Sequence, residues 1–102
     1  MNKEPENKGI QIELTEEVGQ GTYSNLAVIA HSSSEFVIDF VRIMPGIPKA
    51  KVKSRVILSP ENTKRLMLAL MDNVKKYEAQ FSEIKLQDQG FAAPIIGPIG
   101  EA

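Results

Sequence analysis

The segment that most constrains the fold lies in the middle of the chain, where five residues read LSPEN from Leu58 to Asn62. Ser59 is suited to the N-cap of a helix, and Pro60 to the first helical position, where its missing N–H costs nothing. Glu61 then places a negative charge at the positive end of the helix dipole. The sequence therefore predicts that a helix begins at Pro60.

Apolar residues follow this start at helical spacing. Within about a third of the helix circumference, at 3.6 residues per turn, lie Thr63, Leu66, Met67, Leu70, Val74, Tyr77 and Phe81. We predict a helix from Pro60 to about Phe81 that uses this stripe as its core face. Met71 borders the stripe, whereas Leu68 points nearly the opposite way.

The residues before this helix alternate between apolar and polar side chains, with the period of two that is typical of strands. Ile10, Ile12 and Leu14 predict a first strand, and the two glycines of VGQGT at 18–22 predict a turn after it. A hairpin should follow, with strands over 23–31 and 35–44 joined through three serines at 32–34.

The third predicted strand carries apolar groups on both faces. One side holds Phe36, Ile38 and Phe40, and the other holds Val37, Val41 and Ile43 with Asp39 among them. Because one helix covers only one face of a sheet, the second face needs another cover, either the C-terminal tail or a second copy of the chain. We expect an oligomer surface formed by Val37, Val41, Ile43, Leu68 and Met71.

A fourth strand is predicted after the PGIP loop at 45–48, running from Ala50 to Ser59. Its inward positions alternate with four basic residues, Lys49, Lys51, Lys53 and Arg55. On one strand face these cations would stand about 6 to 7 Å apart, close to the spacing of phosphates in an extended nucleic acid. Lys64 and Arg65 would extend this candidate surface for an anion or nucleic acid.

The basic row also has a simpler interpretation. Lysines on an exposed strand keep it soluble and protect a sheet edge from pairing with other chains. The strand has no aromatic residue beside the charges and no base-reading motif. The formal net charge of -1 combines nine basic and two acidic residues from 42 to 76 with three basic and eleven acidic residues elsewhere. Such asymmetry marks either a polyanion surface or a basic strand that faces acidic groups of the same assembly.

Residues for a catalytic or metal site are scarce. The chain has no Cys, so it offers neither a disulfide nor a thiolate. His31 stands without a second His or a tight carboxylate set, and the adjacent serines are better explained as turn formers. Glu13, Glu16 and Glu17 lack the alternating ligand pattern of a calcium loop. We therefore expect no enzymatic activity, no metal and no cofactor.

Length and composition are those of one folded domain, with 102 residues of which 42% are hydrophobic and 25% charged. We predict a flexible N-terminal tail over 1–8, a single α+β domain over 9–84 and a Gly/Pro-rich C-terminal tail over 85–102. We expect no signal peptide, because the first nine residues are polar and carry no apolar run. The sequence also has no apolar run near the roughly 20 residues that span a bilayer. We expect a cytoplasmic protein that does not associate with membranes.

Several motifs resemble a family of small bacterial proteins designated domain of unknown function 3467. They are YSN at 23–25, EFVIDF at 35–40, PG at 45–46 and a motif from Ser54 to Glu78, which consists of SRVILSPENTKRLMLAL followed by Asn73 and by Tyr77 with Glu78. The resemblance covers about 60 residues, from Tyr23 to Phe81. It implies the order of strands followed by an SP-capped helix, and it transfers no catalytic residue. The topology is also similar to that of SecB-type export chaperones, which suggests self-association with grooves for an extended peptide.

The sequence as a whole predicts an α+β fold, a four-stranded antiparallel meander followed by one long C-terminal helix packed on the sheet. The predicted core residues are Ile12, Leu14, Leu26, Val28, Phe36, Ile38, Phe40, Val52, Val56, Leu58, Leu66, Leu70, Val74 and Tyr77. The function expected is that of a non-enzymatic module that binds proteins or assembles with itself, in a chaperone-like manner. The expected partners are further copies of the chain and a protein or peptide. The alternative function is nucleic-acid binding through the basic strand at 49–55.

Overall fold

The computed structural model describes residues 9–87, which form a three-stranded antiparallel sheet and a long C-terminal helix. In chain order the elements are helix α1 (Glu16–Gly19), strands β1 (Leu26–His31), β2 (Phe36–Arg42) and β3 (Lys51–Leu58), and helix α2 (Pro60–Gln80). The strand order is β1-β2-β3, so β2 is central. The predicted α+β class is confirmed. The predicted tail at 1–8, and that at 85–102 beyond residue 87, lie outside the described residues.

The prediction of four strands is wrong, because the segment with Ile10, Ile12 and Leu14 does not join the sheet and its side chains are exposed. A local helix signal follows it directly. Thr15 is the N-cap of α1, and its hydroxyl accepts a hydrogen bond from the backbone N–H of Val18 at 3.1 Å. A short alternating segment forms a strand only when it can pair with a neighbouring strand and bury its apolar side chains in a core.

The turn predicted at 18–22 is partly helical, because the helix that Thr15 caps continues into it. Glu16 and Glu17 lie in the first turn of α1, where negative charge is favourable, and α1 includes Val18 and Gly19. The chain leaves this helix through Gly21, whose φ of +82° lies in the left-handed region.

The predicted hairpin is confirmed between β1 and β2, which pair from Leu26 with Val41 to His31 with Phe36. Ser32 closes its turn: its backbone N–H donates to the carbonyl of Glu35 at 2.9 Å, and its hydroxyl accepts from the N–H of Ser34.

The pairing of β2 with β3 contains a bulge. Phe40 pairs with Ser54, but the next residue, Val41, pairs with Val52, so Lys53 has no partner on β2. An extra residue of this kind reverses the alternation of side chains along its strand. Residues on the two sides of Lys53 that simple alternation assigns to one face therefore lie on opposite faces.

The register defines two faces of the sheet. The helix-side face carries Ala27, Ile29, Phe36, Ile38, Phe40, Val56 and Leu58, and the outer face carries Leu26, Val28, Ala30, Val37, Asp39, Val41, Val52, Arg55 and Ile57. The predicted division of β2 into two apolar faces is therefore confirmed.

Helix α2 begins and ends as predicted. Ser59 is its N-cap and accepts a hydrogen bond from the N–H of Asn62 at 3.2 Å, and Pro60 is its first residue. The hydroxyl of Thr63 donates to the Ser59 carbonyl at 2.8 Å, which closes the first turn. The helix ends at Gln80 with Phe81 as its C-cap.

The described residues contain a very small core. Only Ile38 and Val41 are buried there, each 7% exposed. The predicted core residues Ile12, Leu14, Val52 and Val56 are exposed, as are Leu66, Leu70, Val74 and Tyr77 on α2. The helix was predicted to pack on the sheet. Its main contacts are with the edge strand β3, and an open space separates its apolar stripe from β1 and β2.

Candidate binding surfaces

A large cavity lies between the sheet and α2. It has a volume of about 600 Å³, and we call it the apolar cleft. Its walls are Ala27, Ile29, Ile38 and Phe40 of the sheet, and Thr63, Leu66, Met67, Leu70, Met71, Val74 and Lys75 of α2. Every wall residue except Thr63 and Lys75 has an apolar side chain, so the cleft presents hydrocarbon to solvent on both sides.

The apolar stripe continues along α2 past the end of the cleft. Tyr77 and Phe81 are both exposed, and their rings contact each other with centroids 4.9 Å apart. The exposed stripe therefore extends over most of the helix. A contiguous apolar surface of this kind is typical of a site covered by another molecule.

The residues predicted for an oligomer surface are divided among different parts of the molecule. Met71 lines the apolar cleft, whereas Leu68 is exposed and does not line it. Val37 is half-buried on the outer face. Val41 is buried within the single chain, because it lies in the central strand between Leu26 and Val52, and it is therefore not available as an exposed contact.

Ile43 is half-buried, and the side chain of Asn25 holds its backbone at the end of the sheet. The amide of Asn25 donates to the Ile43 carbonyl at 3.0 Å, and its carbonyl oxygen accepts from the Ile43 N–H at 2.8 Å. These two bonds replace the next step of the ladder between β1 and β2.

A second cavity, of about 290 Å³, lies where β2 ends and β3 begins. We call it the basic pocket. It is lined by Arg42, Met44, Ile47, Lys49, Lys51 and Lys53. Four of these six residues are cations and none is an acid. The described residues contain three ion pairs, and none of the four cations belongs to one of them.

Arg55 lies apart from the three lysines. Because of the bulge at Lys53, Arg55 is on the outer face, where it pairs across the strands with Asp39. Its Nε and one terminal nitrogen donate to the two carboxylate oxygens at 2.7 and 2.8 Å. The hydrogen bond from Arg55 lowers the pKa of Asp39, and the bond to Asp39 raises the pKa of Arg55. Arg55 is therefore already engaged by an anion of its own chain.

Lys64 and Arg65 lie on α2 and do not line the basic pocket. Arg65 donates to Glu61, one turn earlier on the helix, at 2.6 Å. The six cations that the sequence groups into one candidate surface are thus divided into three lysines in the pocket, one arginine on the outer face and two residues on the helix.

The sequence interpretation missed three of the residues that line the basic pocket, Arg42, Met44 and Ile47, and also missed Tyr23 beside it. Tyr23 lies before β1, and its ring centroid is 5.6 Å from the guanidinium carbon of Arg42. The sequence did contain an indication that Met44 and Ile47 lie close together, because Pro45 followed by Gly46 is typical of a tight turn. The Ile47 N–H donates to the Met44 carbonyl at 3.2 Å, and Gly46 has a φ of +80°, as in a type II turn that returns the chain towards Arg42.

A third cavity, of about 380 Å³, lies on the outer face and includes Asp39, Arg55 and, at the hairpin, His31 and Glu35. The ring of His31 stacks on Phe36 with centroids 5.3 Å apart. Between residues 9 and 87 no three His, Asp or Glu side chains converge as metal ligands do. Within the same range, no helix has the length and apolar character needed to cross a bilayer.

The fold and its surfaces define a small α+β protein, a three-stranded antiparallel sheet with one C-terminal helix that leaves an apolar cleft and a basic pocket open. Residues 1–86 match the family model described as "Protein of unknown function (DUF3467)", and the chain belongs to this family. The resemblance stated from the sequence motifs is thereby confirmed. Comparisons with curated proteins and with solved structures give no match.

Proposed function

We propose that the protein is a non-enzymatic module that assembles with itself, and that the apolar cleft of one copy is covered by α2 of a second copy. The observation that carries this proposal is the small size of the core, since only Ile38 and Val41 are buried in the described part of the chain. A monomeric domain of this size normally removes well over half of its unfolded surface from water. The cover of the cleft thus supplies much of the driving force for folding.

A cover on which folding depends has to be present whenever the chain folds. A second copy meets this condition, because it is made with the first and carries the same exposed stripe on α2. The part of α2 that lines the cleft, from Thr63 to Lys75, is about 18 Å long at 1.5 Å per residue. A twofold arrangement would place each helix against the cleft of the other copy, so both apolar surfaces would be covered by one interface.

Sedimentation equilibrium of the full chain, over a series from micromolar to hundreds of micromolar, tests this proposal. We expect a dimer or a higher closed oligomer, with a thermal midpoint that rises with protein concentration, as mass action requires. A folded monomer at tens of micromolar with a constant midpoint would overturn the proposal. Such a monomer that bound unfolded chains would instead support a chaperone-like peptide site.

Two leucines on α2 give a matched pair of variants. Leu70 and Leu68 are nearly equally exposed, at 55% and 52%, but only Leu70 lines the cleft. Leu70→Glu should abolish assembly and reduce stability strongly, because it would bury a carboxylate in the interface. Leu68→Glu should leave the oligomer intact. The opposite pattern would exclude the cleft as the interface and favour the other side of α2.

Nucleic-acid binding, the alternative function, would use the basic pocket, which shares no lining residue with the apolar cleft. The two functions are therefore compatible in one assembly. The cytoplasmic location expected from the sequence stays a prediction.

A further inference from the structure

Two of the positively charged residues that line the basic pocket lie directly opposite each other on neighbouring strands. Arg42, the last residue of β2, pairs in register with Lys51, the first residue of β3. Like charges at directly opposed positions destabilise a sheet. Lys49 and Lys53 line the same pocket, and neither they nor the opposed pair has an acidic partner in the described structure. An anion bound among these side chains would remove this repulsion.

Three other cations of the described chain are neutralised locally. Arg55 pairs with Asp39, Arg65 with Glu61 and Lys76 with Asp72. The contrast is clearest on β3 itself, where the bulge separates Arg55 from the lysines and places it opposite an acid. The strand thus carries one cation that is satisfied within the fold and a group of cations that is not.

Tyr23 supplies an aromatic surface beside these cations. The residue is 66% exposed, and Arg42 lies over its ring. Proteins that bind single-stranded nucleic acid combine a positively charged groove for the phosphates with exposed aromatic rings on which bases stack. The sequence interpretation lacked this aromatic residue, because Tyr23 comes to the pocket from another segment of the chain.

We infer that the basic pocket binds the backbone of a single-stranded nucleic acid, with Arg42, Lys49, Lys51 and Lys53 contacting phosphates and Tyr23 stacking on a base. A free polyphosphate carries the same phosphate groups and could contact the same four cations. The exposed ring favours the nucleic acid, since a polyphosphate has no base to stack.

Fluorescence anisotropy with the full chain and a labelled oligothymidylate tests the inference. We expect binding whose affinity falls with salt, with a slope of log K against log salt of about -2 to -3 for three to four phosphate contacts. Lys51→Ala combined with Lys53→Ala should weaken binding about tenfold or more at low salt and make the slope about 1.4 less steep. The matched control is Lys64→Ala combined with Lys85→Ala, which changes the net charge equally outside the pocket and should have little effect.

Variants of Tyr23 and two competitors distinguish the ligand. Tyr23→Ala should weaken oligonucleotide binding about fivefold or more, whereas Tyr23→Phe keeps the ring and should restore it. A duplex of the same length should bind more weakly. Tripolyphosphate that competes as well as the oligonucleotide at equal phosphate concentration, or indifference to Tyr23→Ala, would overturn the nucleic-acid assignment in favour of a small anion.

Three further results would overturn the inference: absence of salt-dependent binding, equal loss in the pocket variant and its control, or a duplex bound more tightly than the single strand. Sedimentation of the same samples keeps this test separate from self-association, because a monomer that binds the oligonucleotide would contradict only the proposed assembly.

Discussion

Asp39 and Arg55 are joined across β2 and β3 by two parallel hydrogen bonds of 2.7 and 2.8 Å. The carboxylate lies in the central strand and is mostly covered, whereas the guanidinium lies at the surface. Geometry of this kind fixes both side chains and favours the charged form of the carboxyl group. The pair therefore ties the register of β3 to that of β2 on the outer face.

This pair predicts a pH dependence of stability. Because the pKa of Asp39 is lowered in the folded chain, the unfolded chain binds more protons as the pH approaches the ordinary aspartate value of about 3.9. The contribution should be fully present above that value and be lost as the pH falls through the lowered folded pKa. Chemical unfolding of the wild type and Asp39→Asn between neutral and acidic pH measures it. Their difference in unfolding free energy should shrink on acidification; a constant difference would contradict the prediction, and Arg55→Gln should remove the same pH-dependent part.

The N-cap of α2 gives a second prediction. Because the Ser59 hydroxyl accepts from the Asn62 N–H, Ser59→Ala should lower the unfolding free energy by about 1 kcal/mol. Ser59→Asp keeps an acceptor at the same position and adds a favourable charge at the helix N-terminus, so it should restore most of the loss. Urea unfolding at one fixed protein concentration is the measurement. Equal stability of the alanine variant and the wild type would show that the cap contributes nothing to the stability of the folded protein.

The features that could be predicted from the sequence are those set by near neighbours. The start of α2 follows from its cap and proline, the hairpin from its serines, and the length and apolar stripe of α2 from helical spacing. The bulge at Lys53 could not be predicted, because it depends on how β3 pairs with β2. Because of this bulge, Arg55 lies on the outer face of the sheet, apart from the three lysines. The open cleft could not be predicted either, because periodicity identifies an apolar face but not how closely another element of the fold packs against it.

Asn25 gives a third prediction, at the end of the β1–β2 ladder. Asn25→Ala removes both hydrogen bonds to Ile43 and should cost about 1 kcal/mol, because water can replace part of them at this exposed site. Asn25→Asp keeps the acceptor but places a carboxylate oxygen against the Ile43 carbonyl, so it should cost at least as much. Amide hydrogen exchange at Ile43 should be faster in Asn25→Ala, which removes the acceptor of its N–H, than in Asn25→Asp, which keeps it. Unchanged protection there would mean that other contacts hold this end of the sheet.

Gly46 lies in the turn after β2, between Met44 and Ile47, which line the basic pocket. Its φ of +80° disfavours any residue with a Cβ, and no atom within 4 Å would obstruct that Cβ, so Gly46→Ala should cost about 1 to 2 kcal/mol through backbone conformation alone. Gly46→Asn should cost less, because Asn tolerates the left-handed region. Gly21, with a φ of +82° and equally open surroundings, is the matched control: Gly21→Ala should lower stability by a similar amount. Only Gly46→Ala should also weaken oligonucleotide binding, since the turn presents Lys49 beside Arg42. Thermal unfolding and anisotropy on the same samples measure both effects, and equal binding by the two alanine variants would show that the turn does not shape the pocket.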